Sequence, residues 1–386
     1  MIKRMIPGLA ALAWLAACGA PQTGEPAEAP AAGAAPVVEA TAFLTGNASV
    51  PEGAADTEGD GVFRDAEGRP FTYALLGQKL PDFKAPLADG GVFDSAGLSQ
   101  WTVIDIWGAW CSDCIADGPY VAALERAIAQ DPHLDFISIH VPASAARATP
   151  EEMWGKYGSL EAYFETAGYR LPTALDLDGS LRETLKISWT PSYLLVSPDG
   201  AVRGFRTDLS VAGGEPVKDF LRDVARVKGE VRQAALLVIG PDGIGDLKQA
   251  TPFTLRAVEA AFPGYNVIAA TGAGSDAAAF EVRPKGSEDA RFIVEPDWTR
   301  GYIARVSTRD AAVRGPAGET IGETPLGALS ETARAACIAE PGKPGLLACP
   351  DPAAPAAFVR VYASGSDGAP DAAALLTELR YLPPTP

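Results

Sequence analysis

Residues 103–114 read Val-Ile-Asp-Ile-Trp-Gly-Ala-Trp-Cys-Ser-Asp-Cys, and this run constrains the chain more than any other. An apolar, β-type stretch leads into two tryptophans, Trp107 and Trp110, and then into Cys111 and Cys114. The spacing predicts a strand that delivers a dithiol to the first turn of a helix. A helix N-terminus carries unpaired N–H groups and partial positive charge. Both favour a thiolate at Cys111, the expected N-cap, and so make it the attacking thiol. Cys114, one turn later, is placed to resolve a mixed disulfide. A Cys-x-x-Cys pair can also be half of a zinc site or an inert disulfide. No second pair lies within reach, however, and the only histidines are His133 and His140, so no metal is expected.

Three further features surround the dithiol. Asp105 stands in mid-strand, six residues before Cys111. A buried, unpaired carboxyl has a raised pKa, which suits a proton acceptor serving Cys114 through water. Pro119 follows Cys114 by five residues, and Thr190-Pro191 begins a later apolar run. With Trp110-Cys111-Ser112-Asp113-Cys114, these features resemble the thioredoxin superfamily, in particular its membrane-tethered TlpA-like branch. The resemblance covers residues 78–229. It implies an α/β thioredoxin-like fold, a central mixed sheet flanked by helices, and a cis-proline at Pro191 facing the dithiol. Thr190 would then offer backbone groups for strand-like pairing with a substrate. Trp107, Trp110, Ser112 and Asp113 would shape the site. Asp113 adds negative charge beside Cys111, which predicts a less stabilised thiolate and a reducing couple, partly offset by its own attraction to the helix N-terminus.

Around this unit the chain divides further. Lys3 and Arg4 precede an apolar run from Met5 to Ala17, too short to span a bilayer comfortably, ending Leu15-Ala16-Ala17-Cys18. This resembles a lipoprotein signal over residues 1–18, with Cys18 as the lipid-bearing residue; the other reading is an ordinary signal peptide. Gly19 after the cysteine implies sorting to the outer membrane where there is one. Residues 19–45, rich in Ala, Pro and Gly, read as a disordered tether. In the extension 46–77, Val62-Phe63-Arg64 and Pro70-Phe71-Thr72-Tyr73 flank a turn, a hairpin signal. Helices are expected over 115–130, over an insertion at 150–168, and through Val217, Phe220, Leu221 and Val224. Strands are expected at Leu134 to Val141, at Tyr193 to Val196 and from Val202. His140 is read as structural.

Residues 235–386 are expected to form a separate α+β, β-rich domain. Its strand-like runs are Ala235 to Ile239, Tyr265 to Ala269, Phe280 to Arg283, Arg291 to Val294 and Tyr302 to Ser307, with a helix from Thr254 to Ala261. Cys337 and Cys349 bracket a turn-rich loop; a structural disulfide there is worth about 3 kcal/mol, the rival being a zinc half-site without close partners. Gly243-Ile244-Gly245, Thr251-Pro252-Phe253, Ala261-Phe262-Pro263-Gly264, Gly315-Pro316-Ala317-Gly318 and the cysteine pair weakly resemble the RpoE-regulated lipoproteins. No activity follows from that likeness.

The net charge of −17 argues against a nucleic-acid partner. The expectation is an envelope-facing, periplasmic, membrane-anchored thiol–disulfide oxidoreductase that reduces protein disulfides and is itself served by an upstream thiol donor. It calls for no cofactor. A thiol peroxidase is the alternative enzyme, although a peroxidatic cysteine usually follows a Thr/Ser-x-x-Cys pattern. A third reading is a non-enzymatic lipoprotein using the fold as a scaffold, in which Cys111→Ser would leave all function intact.

Overall fold

The computed structural model describes residues 52–210, 214–271, 278–364 and 371–384. The signal segment, Cys18, the tether and residues 46–51 of the extension lie outside the described residues. No helix among the described residues is long and apolar enough to cross a membrane.

The N-terminal domain is built on a five-stranded mixed sheet. A short hairpin, β1 (Lys84–Pro86) and β2 (Val92–Asp94), leads into the central strand β3 (Trp101–Trp107). Then come α1 (Ser112–Ile128), β4 (Leu134–His140), α2 (Pro150–Trp154), α3 (Leu160–Ala167), β5 (Thr173–Leu175), α4 (Ser180–Thr184), β6 (Ser192–Val196), β7 (Val202–Thr207) and α5 (Pro216–Ala235). The sheet order is β5-β4-β3-β6-β7, with β3 parallel to β4 and antiparallel to β6. Both faces of β3 are covered, which is why its sequence is almost continuously apolar. Val103 and Trp107 pack with α1, α3 and α5, whereas Ile104 and Ile106 join Ile137, Ile139 and Leu194 on the other face. Asp105 takes the inward position between Val103 and Trp107, on the α1 face.

Several expectations are corrected in detail. The segment 150–168 is not one helix: Gly155 and Gly158 both have positive φ, 51° and 74°, and split it into α2, a 3-10 turn and α3. The helix expected from residue 115 begins three residues earlier, because Cys111 caps it. Around residues 63–71 the chain folds back at the expected turn, with Arg64 bridging Pro70 antiparallel and the Phe71 N–H donating to the Phe63 carbonyl at 2.8 Å, but the pairing stays too short to count as two strands.

Helix α5 crosses the expected domain boundary. Phe220, Val224 and Val227 belong to the N-terminal core, while its C-cap Leu236 is fully buried in the second core. The strand expected from Ala235 to Ile239 is therefore corrected. Its first residue ends α5, Val238 bridges Arg314, and Ile239 and Gly240 form the short strand β8, paired with β9 (Gly243–Ile244). Beyond α6 (Leu255–Ala261) the chain forms an eight-stranded antiparallel sheet from β10 (Tyr265–Thr271), β11 (Ala278–Pro284), β12 (Phe292–Asp297), β13 (Tyr302–Thr308), β14 (Ile338–Ala339), β15 (Leu346–Pro350), β16 (Phe358–Ala363) and β17 (Leu376–Tyr381). The order is β10-β11-β12-β13-β17-β16-β15-β14, so the C-terminal strand inserts beside β13. Helix α7 (Glu331–Ala335) precedes β14, and Cys337 is disulfide-bonded to Cys349 across the β14–β15 loop.

Candidate redox site

Strand β3 ends at Trp107, and the chain turns through Gly108-Ala109-Trp110 into the first turn of α1. A Cβ on Gly108 would stand 2.2 Å from the Trp110 Nε1, so only glycine lets that indole fold back, where it donates to the Val141 carbonyl at 2.8 Å. The Ala109 N–H donates to His140 Nε2 at 3.0 Å, pinning the same turn to the end of β4. His140 stacks on Trp154 of the insertion and meets Trp107 edge-on. Burial pushes its pKa down to about 3, so it stays neutral. No group of three or more metal-ligating side chains occurs among the described residues.

Cys111 is the N-cap of α1 and is disulfide-bonded to Cys114. The Cys114 N–H points at the Cys111 sulfur from 3.2 Å, so the helix N-terminus addresses the sulfur that would carry the thiolate. The Thr190 carbonyl oxygen lies 3.4 Å from the same sulfur, and the Thr190–Pro191 bond is cis. Cys111 is 7% exposed and Cys114 3%, which leaves Cys111 the more approachable of the two. Ser112 and Asp113 are exposed on the first turn, the Ser112 hydroxyl donating to Asp113 Oδ1 at 3.3 Å. Solvent therefore screens the field that Asp113 exerts on Cys111.

Asp105 lies behind the dithiol. Its Oδ2 accepts from the Ser138 hydroxyl at 3.2 Å, while Oδ1 has no partner among the described residues. Burial pushes its pKa up to about 8; the Ser138 bond opposes the shift and Asp117 adds to it. A cavity of about 10 Å³ touches Asp105, Cys114, Pro191 and Tyr193. That is close to the smallest space that holds one water. The arrangement supplies an attacking sulfur, a resolving sulfur, a proton acceptor reachable through one water, and an adjacent backbone carbonyl.

Two acids absent from the sequence reading complete the site. Asp117, fully buried on α1, accepts from the Tyr193 hydroxyl at 2.7 Å and from the Leu209 and Ser210 N–H groups at 2.6 Å each. Helical spacing could have exposed it, since position 117 follows the inward Cys114 by three residues. Asp208, with a φ of 45°, stands 2.7 Å from the Arg69 guanidinium, too poorly aligned for a hydrogen bond, and accepts from the Trp189 indole at 3.4 Å. Burial pushes Asp208 up to about 6, against the pull of Arg69. No local pattern marks this contact, which joins residues about 140 positions apart.

Fold and site together define a thioredoxin-like domain with a Cys-x-x-Cys pair at the N-terminus of α1. Residues 75–208 match the Redoxin family model, and the domain is similar to thioredoxin-like proteins. Among curated proteins, the chain is 20% identical over 127 residues to the thiol-disulfide oxidoreductase ResA of Bacillus subtilis, covering 33% of this chain and 64% of ResA, less than two thirds of that relative's length. Solved structures with similarity include a thiol:disulfide interchange protein of the thioredoxin family from Chlorobium tepidum, at 20% identity and a TM-score of 0.29, covering 39% of this chain and 94% of that one. Another is the uncharacterized protein yfeY from Escherichia coli, at 16% identity and a TM-score of 0.30, covering 37% of this chain and 98% of that one.

Proposed function

We propose that the protein is an envelope-facing thiol–disulfide oxidoreductase acting as a reductant of protein disulfides. The observation that carries this reading is the Cys111 sulfur, held at a helix N-terminus 3.4 Å from the Thr190 carbonyl, with Asp105 behind Cys114. In the reduced form, the Cys111 thiolate attacks one sulfur of a substrate disulfide. The substrate S–S bond breaks, and the first substrate thiolate leaves and takes a proton from solvent. Cys114 then gives its proton to the ionised form of Asp105, through a water that the small cavity between them can hold, and attacks the Cys111 sulfur. The Cys111–Cys114 disulfide forms and the second substrate thiolate is released. Two electrons pass from dithiol to substrate, and an upstream thiol donor restores the dithiol.

The reducing direction rests on charge. Asp113 lies between the two cysteines, and a carboxylate there disfavours a thiolate even though solvent screens part of its field, whereas strong oxidants owe their potential to a stabilised thiolate. On this reading the signal at 1–18, the lipid on Cys18 and the tether 19–45 hold the enzyme at a membrane, the extension 46–77 braces the domain 78–229, and residues 235–386 act as a positioning or partner-binding module. The test is reduction of insulin disulfides by the full chain with dithiothreitol as donor. Turnover by the native protein that is lost in Cys111→Ser supports the reading. Equal turnover in both overturns it, and consumption of hydrogen peroxide without any disulfide substrate would favour the peroxidase instead.

A further inference from the structure

A groove of about 580 Å³ runs beside the redox site, lined by Asp60 of the extension, Ser144 after β4, and Arg182, Lys186 and Ser188 in the segment that leads to Thr190. Two contacts tie it to the dithiol. The Arg182 guanidinium stands over the Trp110 ring, 5.9 Å from its centroid, and Trp110 directly precedes Cys111. Ser188 is two residues before Thr190, whose carbonyl borders the Cys111 sulfur. A segment lying along Thr190 with its sulfur at Cys111 would therefore continue into this groove.

The charges there run against the rest of the molecule, which is −17 overall and acidic around its dithiol. Arg182 donates from Nη1 to the Pro142 carbonyl at 3.2 Å and makes no ion pair within 4 Å among the described residues, although the carboxylate of Asp176, which caps its backbone N–H at 2.8 Å, attracts its charge. Lys186 is exposed and makes no ion pair among the described residues. The acid of the extension is already taken: Asp60 accepts from both terminal nitrogens of Arg64, at 2.9 and 2.7 Å. Of the lining acids this leaves Glu183, exposed at the rim. Lys186 also has a φ of 50°, the left-handed conformation that glycine adopts freely and a lysine does not. This residue closes the turn after α4, its N–H donating to the Glu183 carbonyl at 3.0 Å, which fixes where its side chain leaves the backbone.

We propose that Arg182 and Lys186 select substrates, and that the preferred substrate is a disulfide-bearing protein segment with an acidic side chain close to the cysteine that Cys111 attacks. This rests on the oxidoreductase reading above and deepens it. The carboxylate lies between the guanidinium and the ammonium, at a half-buried site where a pairing counts for more than on open surface.

The experiment uses the full chain and a set of disulfide-bonded peptides that differ only in carrying Glu or Gln at one of the four positions flanking a cysteine. The quantity read is the ratio of kcat/KM for the Glu peptide to that for its Gln twin. The native protein is expected to favour at least one Glu peptide by about 3- to 10-fold, a preference that shrinks in high salt. Lys186→Gly, which relaxes the backbone while deleting the charge, and Arg182→Gln each bring the ratio close to one. An unchanged Cys111–Cys114 reduction potential verifies that the variants keep the site intact. A ratio of one in the native protein at every position, or a preference that survives both substitutions, overturns the proposal while leaving the oxidoreductase reading standing. Failure to reduce any peptide overturns both.

Discussion

Replacing Asp105 with Asn separates the folding cost of its carboxyl from its chemical role. An aspartate ordinarily titrates at 3.8; burial moves Asp105 to about 8. Between those limits the folded state holds a proton that the unfolded state has released, so stability falls as pH rises. Each pH unit costs about 1.4 kcal/mol. By pH 7 the carboxyl withholds about 4 kcal/mol from the domain, and above pH 8 the loss levels off. Asn has nearly the same shape and never ionises. The difference in stability between Asp105→Asn and the native protein should therefore grow by about 1.4 kcal/mol per pH unit from pH 5 to pH 7 and flatten above 8. Any strain or unpaired amide that Asn introduces adds a constant, not a slope. Urea unfolding followed by tryptophan fluorescence reads mainly this domain, since Trp101, Trp107, Trp110, Trp154 and Trp189 lie in it and, among the described tryptophans, Trp298 alone lies outside. A stability difference that does not change between pH 5 and 8 would refute the assignment of a buried, protonated carboxyl. The same variant should slow release of mixed disulfides most at pH 8 and above, where the native carboxyl is ionised and can accept the Cys114 proton.

Two other substitutions probe the supports of the site and of the second domain. Asp117→Ala strands the Tyr193 hydroxyl and two backbone N–H groups, at about 1–3 kcal/mol for each buried group left unpaired; a drop in the urea midpoint of less than about 1 kcal/mol equivalent would show that the loop at 209–210 is held by something else. Arg360 is buried against Glu319, 2.6 Å away, and Asp351, 2.9 Å away. Arg360→Met leaves both acids uncompensated and should destabilise the C-terminal domain by about 3–5 kcal/mol. Adding Glu319→Leu should recover part of the loss, as read by thermal unfolding in circular dichroism.

The parts legible in the sequence were those written in local pattern. The apolar run of β3, the cysteine spacing and the Thr190-Pro191 pair lie in short stretches whose chemistry permits few structures. The α/β domain followed from them together with the α+β character of the remainder. What escaped depends on contacts between distant residues. Asp117 looked like any helix acid until Leu209 and Ser210 were brought to it, and Asp208 gains its meaning from Arg69. Ala235 to Ile239 looked like a strand because it is apolar, but α5 runs on to Ala235 so that Leu236 can enter the second core. The last four strands went unread since β14 is only two residues long and β17 pairs with β13 across about 70 residues of chain. Side-chain alternation says which residues face inward, not which strands meet.

The central claim is that Cys111 and Cys114 form a reducing thiol–disulfide couple. Its most direct test is the equilibrium reduction potential of that pair, measured on the full chain in defined thiol–disulfide buffers, with the Cys337–Cys349 bridge followed separately. The Asp113 carboxylate between the two cysteines predicts a value well below about −200 mV. A value near about −120 mV, that of a strong oxidant with a stabilised thiolate, would contradict the account and reverse the direction of electron flow.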